Sequence, residues 1–256
     1  MTAIFDLIGP ALFVYAVCVT LLAGFVKGAV GFAMPLIMIS GLGIMIAPDI
    51  ALAAIILPIV FSNGLQVLRA GRAEALSALA EHWRYTLVVC VMILISAQFV
   101  RALPPDALYF VLGVPVVGLS LIQLVGWRPK ISPRTRRPFE WAAGFLSGTL
   151  GGLAGTWGPP TVLYLIALET PKQRQMAVQG VIYGLGSVML LLGHLRSGIL
   201  NAETVWLSGA LLLPALLGMW VGFKLVDRFD QERFRNVTLL VLTVAGLNLI
   251  RRGIMG

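Results

Sequence analysis

Lys27 is the only charged side chain between Asp6 and Asp49, and it falls inside a glycine motif, Gly24-Phe25-x-x-Gly28-x-x-Gly31. A lysine at mid-membrane costs about 2.5–3.5 kcal/mol on insertion scales, so one retained there marks a functional site by default. The sequence leaves two positions open for it, a cavity wall or an interfacial turn between two helices. In a cavity, its charge and the free N–H groups of broken helix ends would select an anion. Ser147 and Thr149 in a second glycine motif, with Thr156 and Trp157 just beyond, add hydrogen-bond donors suited to oxyanion oxygens. No cofactor is implied.

A second wall is expected from the segments that follow each motif. Ser62, Asn63 and Gln66 fall in one, and Gln179, Tyr183 and Ser187 in the other; each also fits the plainer role of an interhelical hydrogen-bond partner. Asp6, Asp49, Asp106, Glu169 and Glu203 all lie at segment edges, so a buried carboxylate carrying protons is not indicated. His82 and His194 are near segment ends and read as interfacial. Ser147 with His194 is the only candidate pair for an intramembrane hydrolase, but the G-x-S-x-G elbow is absent and nothing fixes His194 near the serine. The chain reads as a non-enzyme.

The elements that must position these groups are hydrophobic helices. Of 256 residues, 59% are hydrophobic and 12% charged, and the mean hydropathy is +0.93. Uncharged windows run over 7–26, 28–48, 50–68, 85–100, 107–127, 141–168, 175–195, 204–223 and 236–250. A helix of roughly 20 apolar residues spans the roughly 30 Å hydrocarbon layer. The windows are apolar on every face, unlike the alternation of a membrane β-barrel. Residues 7–26 lack a small-residue cleavage pattern and are expected to stay in the mature protein.

The net charge of +8 does not point to nucleic acid. Arg128, Lys130, Arg134, Arg136 and Arg137 fall in one short linker, the signature of a cytoplasmic loop, and Arg69, Arg72 and Arg84 agree two crossings earlier. Cys18 and Cys90 match no metal spacing and read as small packing residues.

The chain also repeats itself. Gly144-Phe145-x-x-Gly148-x-x-Gly151 matches the first motif at an offset of 120 residues, Pro160 and Pro171 follow as Pro35 and Pro48 do, and Gly246-Leu247-x-Leu249-Ile250 matches Gly118-Leu119-x-Leu121-Ile122. The expected architecture is an all-α polytopic membrane protein of two homologous four-segment halves. Its parts are an N-terminal repeat at 1–126, a basic cytoplasmic linker at 127–137 and a C-terminal repeat at 138–256. The first segment of each half should be broken or re-entrant, since each Gly costs a helix about 1 kcal/mol relative to Ala and each interior Pro about 3. Such breaks in a pseudo-two-fold repeat mark the midplane site of secondary transporters.

The expected substrate site therefore combines Lys27, Gly28, Gly31, Pro35 and Asn63 with Ser147, Gly148, Thr149, Gly151, Thr156, Trp157, Gly158, Pro159, Gln179 and Tyr183. The glycine pairs also fit close helix packing, and a scaffold or assembly protein that uses them only for packing is the alternative function. Crossing count stays open. Eight crossings with cytoplasmic termini agree with Arg251 and Arg252; ten with outside termini agree with Lys172, Arg174, Lys224, Arg228, Arg233 and Arg235.

At the paired glycine stretches, their downstream prolines, the basic linker and the two halves, the chain resembles the TauE/SafE family of sulfite and organosulfonate exporters. The resemblance covers nearly the whole chain. It implies a multi-pass transporter of the bacterial inner membrane that exports small anions without ATP hydrolysis. Its partners would be a small anion, the lipid bilayer and a second copy of the chain. The family's glycine run before the proline is altered here, to Gly31-Phe32-Ala33-Met34-Pro35 and Gly155-Thr156-Trp157-Gly158-Pro159-Pro160, so the resemblance leaves the anion open between sulfur oxyanions, sulfonates and small carboxylates.

Overall fold

The computed structural model describes residues 2–127, 131–132, 134–225 and 231–255. Arg128, Lys130 and Arg228 lie outside the described residues, as do the side chains of Lys172, Arg233 and Arg235. The described chain is helical with no strand. Its elements are α1 (Thr2–Val30), α2 (Met34–Leu42), α3 (Pro48–Ala70), α4 (Arg72–Ser96), α5 (Pro105–Val125), α6 (Arg136–Ala154), α7 (Gly158–Ala167), α8 (Lys172–Ser197), α9 (Thr204–Ala210), α10 (Leu212–Leu225) and α11 (Gln231–Met255). Among the described residues seven helices, taking α9 with α10 as one, are long and apolar enough to cross a membrane.

Prolines punctuate this order where a helix has no N–H to lose: Pro35, Pro48, Pro105 and Pro159 each occupy a first-turn position. Pro58 instead lies inside α3 and leaves the Ala54 carbonyl without its helical partner. Ser208 Oγ on α9 donates to that carbonyl at 3.2 Å and accepts from the Leu57 N–H at 3.0 Å. In lipid an unmade backbone bond costs several kcal/mol, so a neighbouring helix must supply the partner.

Contacts order the helices along the bundle. Tyr15 Oη donates to the Gly41 carbonyl at 2.7 Å, so α2 doubles back along α1. Arg84 on α4 approaches Glu140 on α6 at 4.0 Å, so α6 starts at the end where α4 starts. That end carries the linker, and it is called the linker end below. Arg101 donates to the Gly198 carbonyl at the opposite end, and Arg252 of α11 reaches the Gly43 carbonyl. The first helix thus starts, and the last one finishes, away from the linker.

The tightest packing pairs α1 with α10, α5 with α11 and α4 with both α6 and α8, and α3 also packs on α8. Gly24 and Gly28 let α1 approach α10 until a Cβ at either would collide with its backbone, and Gly218 and Gly222 do the same in return. Large apolar side chains such as Val14, Leu68, Val125 and Leu213 point outward, as a lipid-facing surface requires. Exposed Trp127 and Trp141 near the linker end and Trp206 near the other suit the two interfaces. Cys18 corrects the expectation of a packed cysteine: it lies on the exposed face of α1, whereas Cys90 is partly covered.

Candidate functional site

The first break separates α1 from α2. Gly31 (φ 83°) and Ala33 (φ 77°) both adopt left-handed backbone, which glycine accepts freely and alanine does not. Lys27, in the last turn of α1, is only 2% exposed. Its Nζ donates to Asn63 Oδ1 at 2.6 Å and to Gln66 Oε1 at 3.3 Å, and lies 5.9 Å from the centre of the Tyr183 ring. Asn63 Nδ2 in turn donates to the Tyr183 carbonyl at 3.2 Å, tying α1, α3 and α8 together. Among the described residues no carboxylate pairs with Lys27. A buried cation facing only amide dipoles is an attractor for an anion. Of the two positions the sequence allowed for Lys27, the structure has the cavity wall.

The second break separates α6 from α7. Gly155 (φ 67°) turns the chain, and the Trp157 carbonyl accepts from Ser147 Oγ at 2.9 Å and Thr161 Oγ1 at 2.7 Å. Tyr183 Oη donates to the Gly158 carbonyl at 3.1 Å. These bonds tie α6 and α8 to the start of α7, whose N-cap carbonyl also accepts the Thr161 N–H at 3.3 Å.

Both breaks meet at one small cavity of about 20 Å³, lined by Lys27, Phe32, Ala33, Pro35 and Asn63 on one side and Gly155, Trp157, Gly158 and Tyr183 on the other. The N-termini of α2 and α7, the positive ends of their dipoles, both border it. Lys27 also lines a larger vestibule of about 630 Å³, with Gly31, Gln66, Arg69, Glu74 and Arg174, which opens at the linker end. Among the described residues, Gln66 Nε2 and Trp157 Nε1, from residues that line these spaces, and Thr156 Oγ1 in the second break are buried without a hydrogen-bond partner. All three can donate. The indole nitrogen lies against Gly186, where a Cβ would come within 3.0 Å of it. At the vestibule mouth Arg174 bonds Glu74 and Glu81, both at 2.7 Å. The hydrogen bond to Glu81 raises the Arg174 pKa above its usual value.

The remaining expected residues divide. Gln179 approaches the break, with Oε1 4.0 Å from the position a Cβ on Gly31 would take. Gly28 faces α10, while Gly148 and Gly151 face α4. Pro159 is a buried first-turn residue of α7, and Thr149 is half-buried; neither lines the two spaces. Ser62 and Ser187 bond carbonyls of their own helices. Ser147 and His194 are not hydrogen-bonded to each other, for the His194 ring is 3.2 Å from Ser197 instead.

Two expectations are corrected. His82 and His194 are buried, 1% and 0% exposed, not interfacial. Glu140 is also buried, so the acids at segment edges were not the whole set. It follows Arg136 by four residues, and the packing of α6 on α4 encloses it.

Fold and site together define a multi-pass helical membrane protein with a cation-lined cavity between two interrupted segments. The chain belongs to the sulfite exporter TauE/SafE family, whose profile matches residues 16–249. Neither the curated proteins nor the solved structures give a significant match.

Proposed function

We propose that this protein is a secondary transporter that exports small oxyanions such as sulfite or organosulfonates across the bacterial inner membrane, binding them between the two breaks. The observation that carries the reading is Lys27: a buried cation without a carboxylate partner, shared by the central cavity and the vestibule. Substrate would displace its contact with Gln66 and draw on the free donors nearby. Binding and release need no bond chemistry, so no catalytic residue is assigned.

Helix order supports two halves, 1–126 and 138–256, around the linker at 127–137. The packing is reciprocal between the halves: α1 of the first packs on α10 of the second and α6 of the second on α4 of the first, while α3 pairs with α8 and α5 with α11. Because α1 runs toward the linker end and α6 away from it, this pattern favours inverted repeats. The short helices α2 and α7, at about 1.5 Å per residue, reach only part of the way across a hydrocarbon layer. Exposed Arg69, Arg72, Arg134 and Arg137 gather at the linker end, the mark of the cytoplasmic side. The vestibule then faces the cytoplasm, as an exporter awaiting substrate requires. Rocking the breaks against each other would expose Lys27 to the other side.

The altered loop sequences around Gly31 and Gly155 keep the anion class broad. Purified protein in liposomes should move at least one of sulfite, a sulfonate, sulfate or a small carboxylate; movement of none of them would end the transport reading in favour of a scaffold.

A further inference from the structure

His82 takes no part in the anion site, yet it is enclosed by charged and hydroxyl groups from four helices. Its ring sits where α4 leaves helical geometry, with φ −112° and ψ 21° at His82 itself. His82 Nδ1 lies 2.9 Å from Tyr164 Oη on α7, and that hydroxyl lies 3.5 Å from Glu140 Oε1 on α6. On the other edge of the ring, Nε2 is buried without a hydrogen-bond partner, and Glu81 Oε1 is 3.7 Å away. Glu81 is 41% exposed, so it joins the buried ring to solvent at the linker end. The further charges facing this group are Arg136 on α6, 2.9 Å from Glu140, Arg84 on α4, 4.0 Å from the same carboxylate, and Arg174 on α8, which holds Glu81.

Counting protons separates the possible states. A neutral imidazole has one N–H. With that proton on Nδ1, the ring donates to Tyr164 and the hydroxyl is free for Glu140, but Nε2 is left as an unused buried acceptor. With the proton on Nε2, Nδ1 accepts from the Tyr164 hydroxyl, and Glu140 loses that hydroxyl and keeps its arginine donors. Only the doubly protonated ring engages every group: Nδ1–H to Tyr164, Tyr164 O–H to Glu140, and Nε2–H toward Glu81.

The geometry points to a proton-binding site at His82, loaded from the linker end through Glu81 and coupled to the broken α6–α7 segment through Tyr164. The proton leaves a solvent hydronium ion, whose O–H bond breaks to leave water, passes the Glu81 carboxyl and forms the N–H bond at Nε2 of the ring that already carries a proton on Nδ1. Its link to the anion site is short. The Tyr164 ring stacks on Tyr85 with 4.0 Å between centres, Tyr85 Oη is 3.0 Å from Thr161 Oγ1, and Thr161 donates to the Trp157 carbonyl at the cavity. Charging the ring strengthens its Nδ1–H bond to Tyr164 and, through that hydroxyl, the bond to Glu140, and so acts on the helix whose N-terminus borders that cavity. The coupling, though not the proton site, rests on the transport reading.

Two measurements test this and fail separately. In nanodiscs, isotope-labelled histidine gives two ring systems, assigned by the signal lost in H82Q or, should that variant not fold, in H194Q. The His82 ring is expected to convert to imidazolium between about pH 8 and 5, and Y164F should shift that transition without erasing it. A ring that stays neutral throughout overturns the proton site. In liposomes, radiolabelled methanesulfonate, which has no titratable proton, should accumulate about ten-fold per pH unit imposed for one coupled proton. H82Q should keep exchange at equal pH but lose this accumulation; accumulation undiminished in H82Q overturns the coupling. If the wild-type protein moves no probe while His82 titrates normally, the transport reading fails and the proton site stands.

Discussion

Asn63 stands between Lys27 and Tyr183, taking the ammonium at 2.6 Å with its amide oxygen and giving its amide hydrogens to the Tyr183 carbonyl at 3.2 Å. One side chain thereby orients the cation and fixes α8 beside it, so the charge is held at the cavity and not left to snorkel toward water.

Lys27→Met should lower anion affinity about ten- to a hundred-fold, since a hydrogen bond to a charged group contributes about 1.5–3 kcal/mol and about 1.4 corresponds to a factor of ten. The fold should survive, because removing a buried charge offsets the donors lost by Asn63 and Gln66. Titration of binding with sulfite, alongside a melting curve, checks both halves; unchanged affinity would take Lys27 out of the site.

Ser147→Ala and Thr161→Val each remove one of the two side-chain donors to the Trp157 carbonyl, which also accepts the Thr161 N–H at 3.3 Å. Either alone should cost about 1 kcal/mol and slow transport without abolishing it, while the double variant leaves that carbonyl only the longer bond from the Thr161 N–H and should exceed the sum. A double-mutant cycle on transport rate measures the excess.

Ala33→Gly should stabilise the protein. Relief of left-handed backbone strain gives about 1–2 kcal/mol, against about 0.5–1 for the greater freedom of glycine in the unfolded chain. The net rise, about 0.5–1 kcal/mol, should appear as a higher melting temperature in detergent; a lower one would mean that the methyl group packs more favourably than the backbone is strained.

Gly24→Val or Gly222→Val should push α1 and α10 apart and cost about 1–3 kcal/mol each. Gly64→Ala meets nothing within 4 Å and serves as the tolerated control. Yield of monodisperse protein after purification separates the two classes.

A reporter fused after residue 256 should be active when it works outside the cytoplasm and silent when it works inside, with the opposite pattern for one placed in the linker. The C-terminal end of α11 and the Gly43 turn share the end away from the linker, which motivates the orientation. The same signal at both positions would exclude it.

Much of this architecture was legible in the residues. Long uncharged windows dictate helices in lipid because no other spanning segment satisfies its own backbone. Runs such as Gly151-Gly152 and Pro159-Pro160 make continuous helix too costly, and the chain breaks between them, at 155–157. What the sequence did not contain was depth and partnership. Lys27 at the end of an apolar window fits a cavity or an interface equally well until α3 brings Asn63 and Gln66 to it from 36 and 39 residues away. His82 looked interfacial because it sits near a segment end, and only α4, α6 and α7 packing together encloses it beside Tyr164 and Glu140. Gly28 and Gly148 carry the same motif as Gly31, yet their faces of the helix meet other helices and not the cavity. Apolar length and helix-breaking residues act locally, so the sequence by itself determined the helices and their interruptions. Which polar groups share a buried space depends on helix rotation and crossing, which long-range packing sets, and only the tertiary structure decided it.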